Sequence, residues 1–60
     1  MLVADTIYSP DDGGWYARIW TTETGATIAT VPADDKTLST RAALIRALRK
    51  EYGTIDVRDT

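Results

Sequence analysis

The 60-residue chain contains no cysteine and no histidine. The first absence excludes disulfides and every thiolate zinc site. The second removes the commonest general base and the commonest transition-metal ligand. No apolar run approaches the roughly 20 residues that span a bilayer, so no membrane partner is expected. The opening "MLVADTIY" meets Asp5 too early for the apolar core of a signal peptide. With an initial Met and no targeting signal, we expect a complete small reading frame and, by default, a cytoplasmic protein. Bulk charge of one sign is also scarce. Seven basic and nine acidic side chains leave a net charge of −2. Attraction of nucleic acid by net charge is therefore not expected.

Length is short as well. Sixty residues make one domain, spanning 1–60. A chain of this size buries only about 60% of its unfolded surface, and such domains are marginal. Disulfides are excluded and metal ligands are few, so a second copy of the chain is the remaining supplement. A homodimer is expected ahead of a monomer.

The charge that is present is unevenly spread. Residues 1–33 hold Arg18 against Asp5, Asp11, Asp12 and Glu23. Residues 34–51 hold Lys36, Arg41, Arg46, Arg49 and Lys50 against Asp34, Asp35 and Glu51. An acidic front and a basic segment could pair between two copies.

Along the chain the apolar period changes once. "LVADTIY" alternates, with Leu2, Ala4, Thr6 and Tyr8 on one face and Val3, Asp5 and Ile7 on the other. Asp5 among apolar neighbours suggests a sheet with one wet face. "SPDDGG" is a turn: Pro10 presets φ, the aspartates cap, and glycine accepts positive φ. "WYARIWT" is a second strand, with Trp15, Ala17 and Ile19 on one face and Tyr16, Arg18 and Trp20 on the other. "TETG" is a second turn and "ATIATV" a third strand, ended by Pro32. From Leu38 to Tyr52 the apolar residues Leu38, Ala42, Leu44, Ile45, Leu48 and Tyr52 fall in one helical sector. Thr37 or Ser39 is the expected N-cap. Arg49 and Lys50 oppose the negative end of the helix dipole, and Gly53 suits the C-terminal stop. "TIDVRDT" alternates again and predicts a charged edge strand. The expected architecture is α+β, in the order β-β-β-α-β. An antiparallel sheet of three to four strands is covered on one face by one helix.

Of the chemistry-bearing readings of "SPDDGGWYARIW", two fail on spacing. A phosphate loop needs glycines that open a helix, and these lead into a strand. A calcium loop needs oxygens at alternate positions and a distal Glu, whereas Asp11 and Asp12 are adjacent. No cofactor or metal is expected. Catalysis is not expected either: a base would have to be a carboxylate or Lys36, and one sheet with one helix has little room for a cleft. The aromatics say more. If the helix covers Trp15, then Tyr16, Arg18 and Trp20 lie on the uncovered side, and that composition is typical of interface hot spots. These three residues are the candidate partner-binding set. The rival is an anion or nucleic-acid site on the helix flank at Arg46, Arg49 and Lys50, a pattern that a merely solvated face also produces.

At "DDGGWYARI" the chain resembles the antitoxin domain of the HicB family. Asp12, Gly13, Gly14, Trp15 and Ala17 match that family's turn and aromatic-led second strand. Ser39, Ala43 and Leu44 in "STRAAL" approximate its helix start, with Ala42 where the family prefers Glu. "WTTETGATI" replaces the family's "P-x-L-P-G-C" stretch, and the family's DNA-binding tail has no counterpart up to Thr60. The resemblance implies a degraded RNase H-like fold, a protein partner and no catalysis. It does not imply DNA binding. The expected function is a non-catalytic, inhibitory protein-binding module that is antitoxin-like or of the phage counter-defence kind. It is expected to self-associate through its open sheet face.

Overall fold

Alternating side chains and two glycine-ended turns build the first three strands. In a computed structural model, described for residues 1–34 and 36–59, these are β1 (Leu2–Ser9), β2 (Gly14–Thr21) and β3 (Thr27–Val31). The helix α1 (Arg41–Tyr52) and the strand β4 (Asp56–Asp59) follow. Both turns are built alike. The N–H of Gly13 donates to the Ser9 carbonyl at 2.8 Å, and that of Gly25 to the Thr21 carbonyl at 2.8 Å. Each is one helical turn that is not continued. Gly13 closes its turn at φ +67°, a conformation that costs a side chain about 1–2 kcal/mol.

The sheet has four strands in the order β3-β2-β1-β4. β1 pairs antiparallel with β2, which pairs antiparallel with β3. The sequence led us to expect an antiparallel sheet throughout, and β4 corrects this. It lies parallel to β1, with Val3 beside Asp56 and Asp5 beside Arg58. The helix carries the chain from one edge of the sheet to the other, and a strand returning from a crossover runs parallel.

The helix starts later than its apolar period suggests. Leu38 exchanges two backbone hydrogen bonds with Trp15, at 2.7 and 2.8 Å, and is therefore held as an extension of the sheet. The N-cap is Thr40, not Thr37 or Ser39: its backbone is extended and its hydroxyl accepts from the Ala43 N–H at 3.1 Å. At the other end the Gly53 N–H donates to the Arg49 carbonyl, and Arg49 and Lys50 occupy the last turn.

Leu44 and Leu48, one turn apart, are fully buried against Ala4, Ala17 and Ile19. Alanines at the middle of the sheet let the helix approach, and each leucine buried in this way contributes about 1.5–3 kcal/mol. Ile55, just before β4, closes the cluster. Arg41 ties the layers together at the helix start. Its Nε donates to the hydroxyl of buried Thr6 at 3.3 Å, and its guanidinium meets the Asp59 carboxylate at 2.6 Å. No helix among the described residues is long and apolar enough to cross a membrane.

Candidate functional site

Strand alternation assigns every residue of β2 to a face, and the helix takes Trp15, Ala17 and Ile19. Tyr16, Arg18 and Trp20 therefore share the face that no helix covers. They are not a bare row. Arg18 is exposed, whereas Tyr16 and Trp20 are half-buried. The expectation that Asp5 marks a wet face also needs correction, because Asp5 is only 7% exposed. Its Oδ2 accepts from the Arg18 guanidinium at 3.1 Å and from the Trp20 indole N–H at 3.0 Å. Val3, also on this face, is fully buried between its register neighbours Trp20 and Asp56.

β4 completes the cluster. The Arg58 guanidinium lies 5.8 Å from the centroid of the Trp20 ring, a cation–π distance. Its Nε also donates to Asp56 at 3.0 Å. Across the sheet Thr30, Arg18, Asp5 and Arg58 are successive register neighbours. The two arginines are thus matched by the two carboxylates Asp5 and Asp56.

Asp5, Asp56 and Arg58 are absent from the set read from sequence. A signal for Asp5 existed: the four-residue turn at 10–13 pairs Ser9 with Gly14, and that register carries Asp5 to Arg18. Nothing comparable points to Arg58, whose place depends on the crossover.

At the hairpin end of the same face, Ser9, Asp12, Tyr16, Lys36 and Thr37 line an open groove of about 300 Å³. The Ser9 hydroxyl donates to Asp12 at 3.1 Å. The stretch "SPDDGGWY" is therefore a hairpin turn that also walls a shallow polar groove. Gly14 matters here for space. A side chain on it would run into Thr37 and the Leu38 carbonyl, which pass directly over it.

Arg46, Arg49 and Lys50 stand exposed on the helix, away from this face, and make no ion pair among the described residues. No group of three acidic side chains that could hold a metal occurs among the described residues. In comparisons with known proteins, no family model, no curated protein and no solved structure matches this chain.

Proposed function

We propose that the chain is a non-catalytic binding module of the inhibitory, antitoxin-like or phage counter-defence kind. Its uncovered sheet face docks a protein surface, with Tyr16, Arg18 and Trp20 as anchors. One observation carries this reading. Two of the three anchors are already held by their neighbours: Trp20 between Asp5 and Arg58, and Arg18 on Asp5. Ordering a long side chain on binding costs about 0.5–1.5 kcal/mol, and here that cost is met in folding. The charge balance supports a protein partner over nucleic acid. A stacking platform for nucleic acid needs cations that are free to meet phosphate. Here Arg18 and Arg58 each have a carboxylate. The resemblance of "DDGGWYARI" to HicB antitoxin domains, followed by a third strand and a helix, supports the inhibitory role. In this reading the face is kept for the protein partner, and self-association uses a free edge of the sheet.

The test uses a partner captured from the native host and then purified. Its affinity is measured by calorimetry for the wild-type, Tyr16→Ala, Trp20→Ala and Arg46→Glu chains. Trp20→Ala is expected to weaken binding by about 2 kcal/mol or more. Tyr16→Ala, which leaves the Asp5 hydrogen bonds intact, weakens it as well, and Arg46→Glu has little effect. The opposite pattern, with affinity falling steeply as salt rises, would overturn the reading in favour of an anion or nucleic-acid site at Arg46, Arg49 and Lys50.

A further inference from the structure

The two edges of the sheet are chemically unlike. β4, at one edge, is four residues long, and Asp56, Arg58 and Asp59 make it highly charged. Antiparallel pairing of β4 with itself about its midpoint would set Asp56 against Asp59 of the second copy. Like charges placed opposite each other disfavour that pairing. Short length and charge are the usual protection of an edge. β3, at the other edge, carries no charge, and no described residue pairs with its outer side. No residue from Gly25 to Ala33 is charged. Thr27, Ile28 and Thr30 are exposed, Ile28 to 54%.

The register shows which backbone groups of β3 are free. Trp15 exchanges its N–H and C=O with Leu38, and the Thr21 N–H donates to the Ala26 carbonyl. Odd-numbered residues of β2 therefore turn their polar groups toward the β3 side. Ala17 and Ile19 then bond Val31 and Ala29, their register partners. Thr30, opposite Arg18, alternates with them and turns its N–H and C=O outward. A register shift at Ile19/Trp20 leaves Ile28 with no partner on β2.

We propose that two copies of this chain pair antiparallel through the free edges of β3 and so join their sheets into one continuous sheet. Uncharged residues face uncharged residues in every register that such a pairing can adopt between Gly25 and Ala33. Ile28 gains cover, and the outward groups of Thr30 gain partners. The second copy supplies the burial that a 60-residue chain lacks by itself. The Tyr16–Arg18–Trp20 face stays free on both copies, so this assignment stands independently of the partner reading.

The test is sedimentation equilibrium from micromolar to sub-millimolar concentration. It is joined by hydrogen exchange at the Thr30 amide. The wild-type chain is expected to approach twice its monomer mass, and the Thr30 amide to become protected as concentration rises. Ile28→Lys places like charges near the two-fold axis and raises the dimer dissociation constant at least about tenfold. Thr30→Pro removes an N–H that β2 does not use and gives a monomer with an unchanged circular dichroism spectrum. If Thr30→Pro does not fold, Ile28→Lys decides, because it alters only an exposed side chain. Trp20→Ala leaves the dimer intact. A wild-type chain that stays monomeric, or an Ile28→Lys chain that dimerises as the wild type does, overturns the proposal. So does a dimer abolished by Trp20→Ala, since the face would then be the self-contact.

Discussion

Replacing Gly14 by alanine tests how the sheet and the β3–α1 connection are joined. A Cβ built on Gly14 comes within 2.4 Å of Thr37 Oγ1, 2.7 Å of Thr37 Cβ and 2.8 Å of the Leu38 carbonyl oxygen. The last is backbone and cannot rotate away, so the 37–38 segment must lift. Lifting it breaks the two hydrogen bonds between Trp15 and Leu38. At about 0.5–1.5 kcal/mol each, their loss costs roughly 1–3 kcal/mol. Alanine recovers roughly 0.4–1 kcal/mol by restricting the unfolded chain. The expected net loss is about 1–2 kcal/mol, from a total near 3–9 kcal/mol for a chain of this length. For so small a domain this lowers Tm by roughly 5–15 °C. Gly13→Ala is the control. Its added Cβ meets nothing within 4 Å, and its cost comes only from φ +67°. The two variants lose similar stability but differ in where they lose it. By amide hydrogen exchange, Gly14→Ala exposes Trp15 and Leu38 selectively, whereas Gly13→Ala does not. Adding Thr37→Gly to Gly14→Ala removes two of the three close contacts and restores part of the loss. A Gly14→Ala chain as stable as the wild type, with the Leu38 amide still protected, would refute the steric argument.

Two further outcomes follow from the charged groups. Asp5→Ala leaves the Trp20 N–H and the Arg18 guanidinium without their acceptor. It should cost about 1–3 kcal/mol in urea unfolding, the upper end being discounted because Arg18 is half exposed. Trp20 should also become mobile by fluorescence anisotropy, and unchanged anisotropy would contradict the clamp. Glu23 is held by the α-ammonium of Met1 and by the Thr21 hydroxyl, which together lower its pKa from 4.5 to about 2. A lowered folded-state pKa stabilises above the unfolded value. The advantage of the wild type over Glu23→Gln should therefore be full above pH 4.5 and vanish as pH falls toward 2. Both groups are exposed, so added salt should shrink it, and an advantage that grows on acidification would reverse the assignment.

Much of the molecule could be read from local spacing. The alternation in "LVADTIY" and "WYARIWT" placed Trp15, Ala17 and Ile19 on the side away from Tyr16, Arg18 and Trp20, and the folded chain keeps that division. The change of period after "PADD" located the helix, and Gly53 marked its end. Its start lies at Arg41, with the cap at Thr40, one residue beyond the later of the two caps that the spacing offers, Thr37 and Ser39. An apolar residue at helical spacing, such as Leu38, also suits a strand, and only the contact with Trp15 decides between them. The candidate face was half legible. Turn length carries Asp5 to Arg18, but the stacking of Arg58 on Trp20 has no trace in the spacing of either residue.

Side-chain period and turn chemistry are properties of neighbouring residues, so strands, helix and the division of faces were written along the chain itself. The parallel course of β4, the Asp5–Trp20–Arg58 cluster and the contrast between a charged and an uncharged edge arose only on folding. Each depends on which distant segments the helical crossover brings side by side, and that is set by packing over the whole domain.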